Sequence, residues 1–312
     1  DRVLIMLPGQ RPGSVGNLLG KALAALPAEA FQHNPYFSTL ETRQFIQKEN
    51  ITVIVGTPVQ ILKLARYSNR EAGKVTTVRN VLLSTDYVPK AIVQEVEAKW
   101  GCRVFNHYGM TEMGLGGGVQ CQALAGYHLR EADILFEIVD PESGEIVPDG
   151  EYGEVVFTSL TAEAMPLVRY RTGDISRFLP EPCACGTVLK SMDIVTGRVD
   201  GKVCLSNGTS FWLWELDEAL FPLPFVLDFR ACLSREQQAE CLHICFRLTE
   251  KTATNWQDSV AKALRRIPAL NLALNCGQLK LNIKQDEQKV EQLGAAKRTI
   301  EDLRPKQFCN RH

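Results

Sequence analysis

The chain has 312 residues, 45 % hydrophobic and 23 % charged, the balance of an ordinary globular protein of about two domains. With Lys+Arg 35 against Asp+Glu 36 the net charge is -1, which gives no basic face for nucleic acid or an acidic membrane. There is no apolar run of transmembrane length and no recognisable signal peptide. Ten cysteines in so long a chain read as reduced cytoplasmic thiols, some of them candidate metal ligands, rather than as a disulfide framework. The chain opens at Asp1 without a methionine and enters a strand pattern almost at once, so an upstream segment is expected. Residues 3–7 form a continuous apolar run that predicts a strand buried on both faces. A loop over 8–13 and a helix over 14–26, with Ser14 as N-cap, follow. A second buried strand spans 51–55, and Gly56-Thr57-Pro58 starts a helix with Thr57 at the cap and Pro58 at the first helical position. Strand 81–83, helix 89–100 and strand 103–106 complete a βαβα rhythm, the signature of a mostly parallel sheet covered by helices.

After Gly114 the pattern changes to short strands and turns. Strands are predicted at 134–139, 154–158, 167–170 and 175–179, with the Pro-Glu-Ser-Gly and Pro-Asp-Gly turn signals inside 140–153. This reads as an antiparallel meander beside the parallel part. Beyond Arg198 a smaller α+β unit is expected, with strands at 226–233, 240–248 and 279–283 and helices at 214–220 and 256–267.

Three motifs follow one another along the chain. Tyr108-Gly109-Met110-Thr111-Glu112 comes directly after a strand, where a loop exposes side chains at the C-terminal edge of a sheet, the edge at which ligands of open α/β sheets collect. The run 165–174 packs Arg169, Tyr170, Arg171 and Asp174 between apolar strands. Strand arginines need anionic or hydrogen-bonding partners. An aspartate just after a glycine turn is placed to accept two hydrogen bonds from vicinal hydroxyls, as ribose offers. Gly197-Arg198-Val199-Asp200-Gly201 is the third motif.

The phrases YGMTEMG at 108–114, DPESGEIVPDGEYGEVVFTSLTAEAMPLVRYRTGDISRFLP at 140–180, CACG at 183–186 and TGRVDG at 196–201 resemble the adenylate-forming acyl-CoA synthetase superfamily, most closely its phenylacetate-CoA ligase branch. Beyond residue 201 the similarity is weaker and rests mainly on Gly294-Ala295-Ala296-Lys297-Arg298. The resemblance implies an α/β fold: a partial adenylate-forming large domain over 1–198, with a mostly parallel sheet plus an antiparallel meander, then a small mobile α+β C-terminal domain over 199–312. It implies an ATP-dependent carboxylate–CoA ligase that forms an acyl-adenylate and then a thioester, on an aromatic or related acid. Such chemistry needs charge stabilisation and alignment more than a general base. ATP/AMP, coenzyme A and Mg2+ are the implied ligands and a small-molecule carboxylic acid the partner, in the cytoplasm, with no nucleic acid and no membrane. Oligomeric state is not readable, a homodimer being one option.

By the same resemblance Thr111 contacts the α-phosphate, Glu112 holds magnesium and Tyr108, followed by Gly109, stacks on adenine. Ser84, Thr85 and Asp86 line the other adenine face, although Ser-Thr-Asp departs from the family's usual small and acidic pattern. Asp174 takes the ribose hydroxyls, Arg198 a further ribose or phosphate contact, and Asp200 is the hinge about which the C-terminal domain swings. Set against these roles are an ordinary polar loop for Thr111 and Glu112 and a structural ion pair for Asp174 and Arg198. Arg169 and Arg171 are assigned mainly to such ion pairs, at least one bracing the loop of Asp174. The glycines between 114 and 118 either admit a flat acyl group or form a mere flexible turn.

Cys183 and Cys185 form a knuckle-like pair, and Cys121 with His128 a second; four N/S ligands from two loops suit a closed structural zinc site. Cys and His recur at these places in the branch the chain resembles. Cys241, His243 and Cys245 alternate on one face of a strand, where core packing is the expectation.

Two departures bear on activity. The family's Ser/Thr/Gly-rich phosphate loop would lie upstream of the first strand, and no Gly-x-x-x-x-Gly-Lys-Ser/Thr pattern occurs in the chain. Where the family carries Gly-Lys near its C-terminus, Gly294 is followed by Ala295, and Lys297 comes two residues later as a partial substitute. Losing a transition-state cation costs on the order of 10²–10³ in rate. A non-catalytic nucleotide-binding or regulatory derivative, and an enzyme passing the acyl-adenylate to an amine, therefore stand as alternatives, and the chain alone is expected to be inactive.

Overall fold

The computed structural model describes residues 1–67, 75–114, 116–236, 239–249, 252, 254–286 and 298–305. The chain divides into two compact units with the break between Asp200 and Gly201. In the first, a parallel sheet is built from β1 (Arg2–Ile5), α1 (Val15–Leu23), β2 (Glu29–Gln32), α2 (Thr39–Lys48), β3 (Val53–Gly56), α3 (Pro58–Arg66), β4 (Asn80–Leu83), α4 (Lys90–Trp100) and β5 (Arg103–Tyr108). The spatial order β5-β4-β3-β1-β2 puts β1, β3 and β4 inside, and their apolar runs are buried accordingly.

Local chemistry sets the helix ends. Thr57 and Gln60 form a reciprocal capping box at α3 with Pro58 in its first turn, as the sequence predicts. Ser14 does sit at the N-cap of α1, but its hydroxyl donates back to the Arg11 carbonyl at 2.6 Å and caps nothing, and the helix stops short of residue 26. Strand β2 and helix α2 have no counterpart among the predicted elements. The signal for α2 is in the sequence: Ser38 and Glu41 form a capping box. Strand β2 is an edge strand with three of its four residues exposed, so it lacks the apolar run that marks its neighbours.

The antiparallel part adds β6 (Gly118–Gln120) and β7 (Tyr127–Leu129) beside β5, then a second sheet from β8 (Ile134–Val139), β9 (Gly153–Ser159) and β10 (Tyr170–Ser176). Strand β11 (Ser191–Met192) returns to pair with β7, and β12 (Gly197–Arg198) pairs with β10. The two strands predicted at 167–170 and 175–179 are corrected to the single strand β10. Its pairing with β9 slips between Arg171 and Ile175, so Gly173, at φ 76°, lies in a bulge rather than in a turn between strands. Tyr108, Met113, Tyr127, Phe136, Phe157 and Met192 share the core that joins these sheets.

The second unit contains β13 (Val203–Cys204), β14 (Ser210–Phe211), α5 (Leu213–Leu220), β15 (Val226–Glu236), β16 (Ala239–Leu248), α6 (Trp256–Leu264), α7 (Pro268–Asn275), β17 (Leu279–Gln285) and β18 (Ile300–Asp302). Its main sheet runs β17-β16-β15-β18, antiparallel between β15 and β16 and parallel at both edges. The helix predicted over 256–267 ends at Leu264, and Pro268 starts α7, which the sequence reading did not separate. No helix among the described residues is long and apolar enough to cross a membrane.

Candidate functional site

The bulge in β10 brings two of the sequence motifs together. Tyr108, the last residue of β5, donates its phenol to Asp174 Oδ2 at 2.9 Å across a separation of 66 residues. Arg198, paired with Asp174 in the β10–β12 ladder, donates from Nη2 to the Thr172 carbonyl at 2.8 Å and sets Nε 3.7 Å from Asp174 and 3.5 Å from Asp200. Burial and the Asp174 charge push the Tyr108 phenol well up, so it remains a donor. The Tyr108 ring packs 5.7 Å from that of Tyr127 and is 7 % exposed, and its phenol positions Asp174.

The arginines are braces, as expected, and Glu154 is a partner of Arg171 that its sequence position did not mark. Glu154 is buried; its Oε2 accepts from Arg171 Nε at 2.7 Å and its Oε1 from the Gly173 N–H at 2.9 Å, which fixes the bulge from below. Arg171 also reaches the Pro141 carbonyl at 2.6 Å, and Arg169 bridges Glu137 and the Gly144 carbonyl. Nothing in the spacing of Glu154 marks it; only the β9–β10 pairing places it under Gly173.

At the C-terminal ends of β4 and β5, Ser84 is buried and shares a 2.9 Å hydrogen bond with His107 Nδ1, while Thr85 takes φ 75° and Asp86 accepts from the Tyr87 N–H. Burial lowers the His107 pKa and favours the neutral ring. His107 was not singled out in the sequence, although strand alternation beside Tyr108 turns it to the opposite face. Gly109 leads into a 3-10 turn at Thr111–Met113, where Thr111 and Glu112 are exposed. Arg130 holds this turn by donating to the Met113 carbonyl at 2.8 Å. Of the following glycines, Gly118 is hemmed in by protein neighbours, where a Cβ would lie 2.9 Å from Tyr127 Cβ, while at Gly117 it would lie 2.7 Å from Met113 Sδ and displace that side chain. Gly116 is less crowded, its nearest neighbour being His107 Nε2 at 3.6 Å. Asp200 is exposed in a 3-10 turn at the last residue of the first unit. Lys297, with Gly294 and Ala295, lies outside the described residues.

A separate cluster gathers Cys121, His128, Cys183 and Cys185, whose donor atoms all lie within 4.8 Å of one another. Cys121 Sγ is 3.6 Å from Cys183 Sγ, and Cys185 Sγ is 3.8 Å from His128 Nε2. Adjacent donors of a tetrahedral zinc with bonds of about 2.0–2.3 Å are separated by roughly 3.3–3.8 Å, the range in which these two separations fall. Burial pushes the Cys121 thiol up, but the Ala123 N–H and the neighbouring Cys183 and Cys185 thiols outweigh it and lower its pKa. In the second unit Cys241, His243 and Cys245 do share one face, but the fully enclosed residues of β16 are the alternate set, Leu242, Ile244 and Phe246.

Residues 25–162 match the family model described as AMP-binding enzyme. The chain is 34 % identical over 151 residues to the phenylacetate-coenzyme A ligase of Thermus thermophilus, covering 47 % of the chain and 34 % of that protein. It is 28 % identical over 222 residues to the Escherichia coli phenylacetate-coenzyme A ligase, covering 69 % and 50 %. The chain thus spans about a third to a half of the length of the curated relatives it matches. Among solved structures, a 2-hydroxyisobutyryl-CoA ligase superposes with TM-score 0.78 at 21 % identity over 97 % of this chain and 66 % of its own. An anthranilate CoA ligase does so with TM-score 0.70 at 13 % identity over 95 % and 58 %; at such identities the likeness concerns the fold. Over these stretches the chain is similar to AMP-binding enzymes, and the curated relatives it matches are phenylacetate-coenzyme A ligases.

Proposed function

We propose that the full-length protein containing this chain is an ATP-dependent carboxylate–CoA ligase acting on an aromatic or related acid. The observation that carries this is the 2.9 Å hydrogen bond from Tyr108 to Asp174, which joins two motifs far apart in sequence at one sheet edge, with Arg198 beside them. In the first half-reaction a carboxylate oxygen of the acid attacks the α-phosphorus of ATP and pyrophosphate leaves. In the second the thiolate of coenzyme A attacks the acyl carbonyl and AMP leaves. Asp174 accepts the ribose hydroxyls, Arg198 supports that end of the nucleotide, and Ser84, Thr85 and Asp86 with Gly109 border the base. Thr111 donates to the α-phosphate, and Lys297 supplies partial positive charge there. Glu112, exposed on its turn, would hold Mg2+, which neutralises phosphate charge. Asp200 serves as hinge; its place at the edge of the first unit supports that role.

The four-residue Cys/His cluster is proposed as a structural zinc site, and its metal-ligand chemistry suits the reducing cytoplasm. ATP-dependent pyrophosphate release by the full-length protein, measured against a panel of aryl and alkyl acids, tests the ligase. Release with at least one acid is expected, and none with any would refute it. A second reading, nucleotide binding without turnover, is favoured by Ala295 in place of the family's lysine. Calorimetric binding of AMP with no turnover would select it. Comparison of CoA with amine acceptors separates thioester from amide formation.

A further inference from the structure

The main sheet of the second unit has two unlike faces. Leu242, Ile244 and Phe246 of β16 are enclosed on the helix side, with the Phe246 ring 5.6 Å from Trp256 of α6. The alternate residues Cys241, His243 and Cys245 point the other way, in register with Ser234, Cys232 and Arg230 of β15 and with Lys280, Asn282 and Lys284 of β17. Toward the β15–β16 hairpin, a carboxylate oxygen of Glu236, Cys241 Sγ and a ring nitrogen of His243 all lie within 4.8 Å of one another. The Nε2-to-Glu236 distance is 3.7 Å, already within reach of a tetrahedral ligand edge.

The imidazole is fixed on both sides of the ring. His243 Nδ1 accepts from Asn282 Nδ2 at 3.0 Å; on metal binding at Nε2 the Asn282 amide would turn over so that its oxygen takes the Nδ1–H. Ser234 Oγ, 2.7 Å from Nε2, gives up that nitrogen when a metal binds and is then next to the open position. Cys241 is 4 % exposed and so anchors the inner end, whereas the Glu236 side chain is 59 % exposed at the outer end. An ion would therefore enter from the hairpin.

We propose that Glu236, Cys241 and His243 form a second divalent-metal site, for zinc or a metal of like preference, with water in the fourth position. It is independent of the four-ligand cluster of the first unit and of the ligase reading. Three protein ligands and an open position describe an exchangeable site rather than a closed structural one.

Cobalt(II) titration of the purified metal-free chain, followed by the sulfur-to-cobalt charge-transfer band, tests this. A Cys183→Ser/Cys185→Ser variant isolates the second site and should still bind one equivalent with a single-thiolate band. Cys241→Ser in that background should abolish the band. Glu236→Gln, at an exposed position where folding is not at stake, should weaken binding by roughly ten-fold or more. Cys245→Ser should leave the band intact. No binding by the isolating variant, a band that survives Cys241→Ser, a band lost with Cys245→Ser, or unchanged affinity in Glu236→Gln would overturn the assignment and mark any bound cobalt as adventitious.

Discussion

Asp174 is a carboxylate with one oxygen committed to a phenol and the other facing a guanidinium 3.7 Å away. Its charge is what a pair of ribose hydroxyls would use, because hydrogen bonds to an ionised acceptor are worth about 1.5–3 kcal/mol. Asp174→Asn keeps the shape and removes the charge, so AMP affinity should fall roughly 10- to 100-fold; an unchanged calorimetric Kd would remove Asp174 from the nucleotide site. A second residue-scale outcome concerns pH. Burial lowers the His33 pKa from 6.5 to about 4, with Nε2 on Thr42 Oγ at 3.0 Å. The folded ring stays neutral where the unfolded one takes a proton, so the fold is at full strength above pH 6.5 and loses stability as pH falls toward 4. The loss is on the order of 3 kcal/mol. Denaturant titrations at pH 7 and 4.5 should show a smaller difference in His33→Gln than in the parent chain. An equal difference would show that His33 does not carry the slope.

The bulge of β10 is the element on which the candidate site depends. Gly173 is the residue that permits it: φ is 76°, and a Cβ would come 3.2 Å from Arg198 Nη2. Gly173→Ala should therefore cost about 1–2 kcal/mol from backbone strain alone and push Arg198 off the Thr172 carbonyl, lowering Tm and AMP affinity together. A variant with parental Tm and affinity would show the bulge to be tolerant. Elements with strong local signals were legible: the apolar runs of β1, β3 and β4 and the Thr57-Pro58 start of α3. The bulge was not, because a glycine between two short apolar stretches reads equally well as a turn, and only the pairing of both flanks with β9 distinguishes the two.

At the scale of the molecule, the Cys/His cluster brings together chain segments that follow β6, sit within β7 and precede β11. A metal closing such loops should act as a disulfide does, contributing about 2–4 kcal/mol. Chelation of the purified protein, or Cys183→Ser, should remove one equivalent of zinc and lower Tm by roughly 4–8 °C for a loss of about 2 kcal/mol. An unchanged Tm with zinc absent from the parent protein would show the thiols to be unmetallated.

The order of motifs and the change from βαβα rhythm to antiparallel meander were determined by the sequence, because hydrophobic period and turn residues act locally. So was the membership of Cys121, His128, Cys183 and Cys185 in one candidate set. What only the tertiary structure decided is which groups meet. Glu154 under Gly173, His107 on Ser84, the enclosure of the Tyr108 ring and the face of β16 that carries Cys241 and His243 all depend on strand pairings between distant segments. No local propensity encodes such a partner, since strand register is set by the burial of whole faces rather than by any one residue.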